Sequence, residues 1–185
     1  YEFKKYDFNT FGYSQSSLLS VAKTKLVESG NMRIMLKEHY RCHPDIIGFS
    51  NQFFYDKMLR IKSKKEIDSG IEWIDNKNDC SPKWYNSKES DLVIDKVTTL
   101  LKDFKPNQIG IVTPFRKQAD LISNKISEQF GAEVEKDLIA DTAHKFQGDE
   151  RDFMILSLVV GEKMTRSTYD WVHQGHGRNL INVSV

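Results

Sequence analysis

Residues Asp141 to Asp152 read D-T-A-H-K-F-Q-G-D-E-R-D and lie between two apolar runs. The Glu150 carboxylate can accept from a ribose hydroxyl or orient a water. Thr142 and His144 offer neutral donors to a nucleic-acid backbone, a contact that fixes position without reading sequence. A second cluster lies upstream, E-H-Y-R-C-H-P from Glu38 to Pro44. Arg41 carries a permanently charged, planar fork that suits phosphate oxygens, and Tyr40 a flat ring that can stack on a base. A third, Thr113-Pro114-Phe115-Arg116, follows another short apolar run.

Each cluster sits at the end of a predicted strand. Met32, Ile34 and Leu36 alternate with polar residues, so Asn31 to Tyr40 is expected to be a strand. Pro44 suits a first helical position, and Asp45 favours the helix dipole. The helix they open is predicted to run to about Tyr55, burying Ile46, Ile47, Phe49 and Phe53. Ile71 to Asp75 is a further predicted strand. Asn86 with Glu89 caps a helix predicted from Ser87 to about Phe104, with Val93, Val97, Leu100, Leu101 and Phe104 on one face. Ile109 to Val112 reads as a buried parallel strand. A helix follows it with Ala119, Ile122, Ile126 and Phe130 on one side and Gly131 at its end. Leu138 to Ala140 and Phe153 to Val160 are two more strands. Ser16 to Ser29 forms a short amphipathic helix before Gly30. Residues 161–176 read as a loop, and Leu180 to Val185 as a last apolar piece.

Strands alternate with helices, which predicts an α/β fold with a doubly wound, parallel sheet. In such a sheet the carboxyl ends of the strands share one edge, and the three polar clusters are expected to converge there on one crevice.

The bulk composition narrows the class. The chain has 185 residues, 39% hydrophobic and 29% charged, enough for one globular domain with a sizeable core. Its formal net charge is +1, so no global basic excess points to nucleic acid. Lys57 to Lys65 is the densest local basic patch and has a plainer reading as a solvated face. Two cysteines without a C-x-x-C pair argue against a disulfide framework or a zinc ribbon and suit a reducing compartment. No ligand spacing for a metal is present, and no apolar run reaches the roughly 18 residues that span a bilayer. The chain starts at Tyr1 and stops inside an apolar stretch, which reads as an excerpt of a longer protein.

Every one of these residues has a simpler role available. Arg41 can pair with Glu38 or Asp45. Tyr40 can be a half-buried packing ring. Gln147-Gly148 can be only a turn. Their order and strand context, taken together, carry more weight than any one of them.

That combination resembles superfamily 1 helicases, in the branch containing the nonsense-mediated-decay and Okazaki-fragment-processing helicases. Leu36 to Tyr55 resembles their Y-R-x-H-P segment. Ile109 to Gln118 resembles their T-P-Y/F-x-x-Q segment. Asp141 to Asp152 resembles motif V with its F-Q-G-x-E block. Asn179 to Val185 resembles the start of motif VI. The resemblance implies a RecA-like three-layer sandwich, with residues 1–30 as a connecting helix region and 31–185 as the core of the second RecA-like domain. In this family two such domains clamp ATP and Mg2+ between them, and single-stranded DNA or RNA runs across both. By position, the resemblance makes Arg41 an arginine finger to the γ-phosphate. Tyr40, Gln147, Gly148 and Glu150 fall at the nucleotide edge, and Thr113, Pro114, Arg116, Thr142, His144 and Lys145 towards the strand.

The departures set the limits. No G-x-x-x-x-G-K-S/T loop occurs, so the grip on ATP and Mg2+ is expected in the first RecA-like domain of the same protein. The D-E-x-x motif, the glutamine sensor and the T-R-A of motif VI are also absent, and Ser184 stands where the family usually has Ala. The 185 residues alone are therefore expected not to hydrolyse ATP. The rival readings are a non-catalytic nucleic-acid-binding or interaction module that keeps a degenerate helicase fold, and a helicase joined to a nuclease lying elsewhere. The resemblance suggests 5′ to 3′ movement, and a composition rich in Lys, Asn and Ile suggests a cytoplasmic protein of a low-GC bacterium.

Overall fold

Three strands and the helices between them make the core. The computed structural model describes residues 17–28, 34–64, 69–76, 84–146 and 151–159, with Arg166 and Asn182 as isolated positions. The Gln147-Gly148 turn, Glu150, the 161–176 loop and the rest of the Leu180–Val185 run lie outside the described residues. The elements in chain order are α1 (Leu18–Glu28), β1 (Glu38–His39), α2 (Pro44–Phe54), β2 (Arg60–Ile61), α3 (Ser87–Leu100), β3 (Ile109–Thr113), α4 (Arg116–Phe130), α5 (Ala132–Asp137), β4 (Ile139–Thr142) and β5 (Phe153–Leu156).

β3 is central, in the order β4-β3-β5, and both pairings are parallel. Its five residues are all buried, as expected for a parallel strand covered on both faces. Alternation then divides the side chains. Ile109 and Ile111 join Val93, Val97, Ile122 and Ile126 of α3 and α4 in the main core. Val112 points the other way and packs with Ala143 and Phe146 of the turn after β4. Burying each large aliphatic side chain contributes about 1.5–3 kcal/mol. This is the α/β arrangement expected from the alternation of elements, and it is consistent with the RecA-like fold that the resemblance implies.

The helix ends follow local chemistry. The Asn86 side chain accepts the Glu89 N–H at 3.1 Å and caps α3. α3 stops at Leu100, a turn short of the predicted end, and Phe104 instead packs at a tilt against Phe153, with ring centroids 4.3 Å apart and planes at 50°. α4 ends at Gly131, whose φ of 89° is open to glycine at little cost. α5 was not expected; its Glu135 accepts the Ser123 hydroxyl of α4 at 2.6 Å. Ser17 caps α1 by accepting the Ser20 N–H at 3.1 Å.

Three expectations fail. Of the strand predicted over Asn31 to Tyr40, residues 31–33 lie outside the described residues, and among residues 34–40 only Glu38 and His39 are strand, paired in parallel with β2 in a separate ladder. Ile34 and Leu36 are more than four-fifths exposed, so their alternation meets no buried face. Ile71 to Asp75 forms no strand, and Trp73 is 85% exposed. In α2, Ile47 and Ser50 are buried, while Phe49 and Phe53 lie at the surface against each other, ring centroids 5.0 Å apart. The Ile71 segment is anchored through Gly70, whose N–H donates to Asp45 Oδ2 at 3.2 Å. A Cβ on Gly70 would meet the His43 ring at 2.3 Å, so only glycine allows this approach.

Candidate nucleic-acid interface

Thr113 and Thr142 are register partners at the carboxyl ends of β3 and β4. The chain leaves this edge along Pro114-Phe115 into α4 and along Ala143 to Phe146 in a turn. Arg116, in the first turn of α4, reaches across to Asp141: Nη2 lies 2.7 Å from Oδ1. It also lies 3.5 Å from the Thr142 hydroxyl. Lys145 approaches the same carboxylate, Nζ to Oδ2 at 3.6 Å. The Thr142 N–H donates to Asp141 Oδ1 at 2.6 Å. Both cations are exposed and the carboxylate is buried, so Asp141 is the fixed point that holds them at the rim.

Burial is the largest influence on Asp141 and by itself would raise its pKa. The Arg116 hydrogen bond, the Thr142 N–H and the charges of Arg116 and Lys145 outweigh it, and the net shift is downward. Arg116 is raised in turn, first by its bond to Asp141. A lowered folded-state carboxylate stabilises the fold above its unfolded pKa, near 4, and that contribution vanishes as pH falls through the lower folded value. Asp141→Asn should therefore lower the urea midpoint by a constant amount above about pH 5, and the gap to wild type should close below about pH 4. Parallel curves from pH 6 to pH 3 would remove Asp141 from this account.

The predicted strand-facing residues divide in the structure. Thr142 is partly buried, and His144 and Lys145 are exposed. Pro114 is partly exposed and Arg116 exposed. Thr113 is fully buried, with its hydroxyl 3.4 Å from the Phe115 N–H, so it shapes the turn rather than facing solvent. Tyr40 and Arg41 close β1, which belongs to the other ladder, so the shared sheet edge does not bring them to Thr113 and Thr142. The Tyr40 ring is 66% exposed, which sets aside the packing role, and its hydroxyl donates to Glu38 Oε2 at 2.5 Å. Glu38 first, then burial, raise the Tyr40 pKa. Burial, then the charge of Arg41, lower that of His39. A neutral His39 ring can accept, and its Nε2 takes the Cys42 N–H at 2.9 Å, shaping the turn that carries Arg41.

Sequence reasoning passed over a buried network under this edge. Gln118, fully buried in α4, accepts the Asn86 N–H at 2.8 Å. It donates to the Ser157 hydroxyl at 3.0 Å. Ser157 donates to Glu89 Oε1 at 2.5 Å, and the same oxygen accepts the Val159 N–H at 3.1 Å. Val159 has a φ of 58°, costly for a β-branched residue. The network binds the N-termini of α3 and α4 to the chain leaving β5. The one available signal was the glutamine closing the T-P-F-R-K-Q segment.

Among the described residues, no three His, Cys, Asp or Glu side chains converge as metal ligands. Nor is any helix among them long and apolar enough to cross a membrane.

The chain belongs to the AAA domain family, and its relatives are named helicases, which supports a helicase-related domain. That family's model matches residues 71–175, more than half of the chain. An uncharacterized ATP-dependent helicase of Mycoplasma genitalium is 28% identical over 92% of this chain and 16% of its own length. Helicase sen1 of Schizosaccharomyces pombe is 25% identical over 81% of this chain and 10% of its own. Helicase SEN1 of Saccharomyces cerevisiae is 24% identical over 82% of this chain and 8% of its own. The chain spans less than a fifth of the length of the curated relatives it matches. These relatives come from eukaryotes as well as from a bacterium, which gives the bacterial expectation no support.

Proposed function

We propose that this chain is the second RecA-like motor domain of a superfamily 1 helicase, supplying single-strand contacts and an arginine finger. The observation that carries the reading is the edge where Thr142 and its neighbour Lys145 sit beside Arg116, organised by one buried carboxylate. Neutral and cationic donors at strand ends suit a phosphate backbone held without regard to base sequence. ATP and Mg2+ would be gripped by the first RecA-like domain of the longer protein. Closure of the cleft on ATP would carry Arg41 to the γ-phosphate, with Tyr40 packing near the nucleotide, and hydrolysis would release them. By the resemblance, Gln147, Gly148 and Glu150 would lie at the nucleotide edge of the cleft. The exposed positions of Tyr40 and Arg41 at the end of β1 are compatible with such a transfer.

The test is salt-dependent binding. Each phosphate neutralised on a single strand contributes a slope of about 0.7 in log K against log salt. Lys145→Ala in the longer protein should reduce the slope by about that much and weaken binding equally for oligonucleotides of different sequence. An unchanged slope, measured by anisotropy with a labelled single strand, would remove Lys145 from the interface.

A further inference from the structure

We propose that Trp84 is a base-stacking platform for single-stranded nucleic acid, placed where the strand passes the start of α4. The inference rests on the single-strand reading above and adds a subsite to it. Trp84, Pro114, Phe115, Arg116 and Lys117 line an open recess of about 220 Å³. The Trp84 ring meets Phe115 edge-on, with centroids 5.0 Å apart and planes at 67°. Phe115 is buried and Trp84 partly exposed, so one ring anchors the other at the surface. Such a pair fixes the indole and keeps it from folding away.

The backbone gives an independent sign. Trp84 has a φ of 66°, a left-handed conformation unfavourable for a bulky aromatic residue. Strain of this kind persists where the surrounding structure over-determines it, and it gathers at ligand sites. Here the determinant is two residues away, where the Asn86 N–H is fastened to buried Gln118 at 2.8 Å. The cap of α3 and the network beneath it therefore hold the indole beside the start of α4.

The lining charges select the occupant. Arg116 and Lys117 are exposed, and Lys117 forms no ion pair among the described residues. Arg116 also touches Thr142, so the recess continues the backbone-contact edge. An aromatic face flanked by cations matches a base with its phosphates, and only an unpaired strand presents a free base face.

The experiment uses the longer protein and two labelled probes of equal length, an oligo-dT and the same strand with an abasic stretch. Trp84→Ala should weaken oligo-dT binding roughly 5- to 150-fold. Trp84→Leu, which keeps apolar volume against Phe115, should show a similar loss, while Trp84→Phe should keep most of the affinity. The abasic strand should bind wild type and Trp84→Leu equally. Full oligo-dT affinity in Trp84→Leu, or an equal loss on both probes, would overturn the stacking role while leaving the strand interface standing. Failure of the wild type to bind either probe would overturn both.

Discussion

Arg41→Ala in the longer protein is expected to lower single-strand-stimulated ATP turnover by about 10³- to 10⁵-fold, the range an arginine finger supplies to phosphoryl transfer. Affinity for the single strand should stay largely intact, because the contacts proposed for the strand lie on the other ladder, around Thr142 and Lys145. Arg41→Lys should not rescue turnover. A lysine keeps the charge but loses the planar fork that meets two phosphate oxygens at once. Arg41 is exposed just after β1. Steady-state hydrolysis with saturating oligo-dT reads the effect, and turnover at the wild-type rate would exclude Arg41 from the mechanism.

The largest stability effect is expected at Gln118. Gln118→Ala leaves the buried Asn86 N–H without its acceptor and opens a cavity between α3, α4 and the chain after β5. An orphaned buried donor costs about 1–3 kcal/mol, and the cavity adds to it. A loss of about 2–4 kcal/mol should follow, which for a chain of this size lowers Tm by roughly 5–15 °C. Urea or thermal unfolding of the 185-residue chain measures it directly. A loss below about 0.5 kcal/mol would mean the network is dispensable. The same substitution should also disturb Trp84, whose backbone the Asn86 N–H helps to fix, so the two sites should fail together.

The parts of the fold that were legible in the sequence are those whose signals are local and repeated. α3 and α4 carry apolar residues at helical spacing and recognisable ends at Asn86 and Gly131. β3 is short, carries the apolar run Ile109 to Val112 and is stopped by Pro114. The Ile71 segment and the approach to β1 misled, because alternation predicts a strand only if a partner strand and a covering layer exist. Ile34, Leu36 and Trp73 have neither among the described residues. The short helix α5 spans too few residues for any periodicity to show.

At the candidate site, Thr142, His144, Lys145 and Arg116 could be gathered from strand order alone. Asp141 could not. It stands beside Thr142 in the sequence, but its importance comes from Arg116, which reaches it from another element. Gln118, Ser157 and Glu89 were hidden for the same reason. A polar residue in a helix looks solvated until the fold closes over it. Trp84 falls in none of the predicted elements, and only its backbone angle and its contact with Phe115 mark it out.

The order β4-β3-β5 has a consequence for how the protein is made. Both partners of β3 come later in the chain, the second not until Phe153. A ribosome therefore releases the most deeply buried of the described strands with two open edges. It must add more than forty residues before the second edge is covered. Unpaired strand edges of this kind are the places where nascent chains associate with one another. The window should close only when β5 has left the exit tunnel, so slowing synthesis between β3 and β5 would cost yield, whereas slowing it after β5 would not.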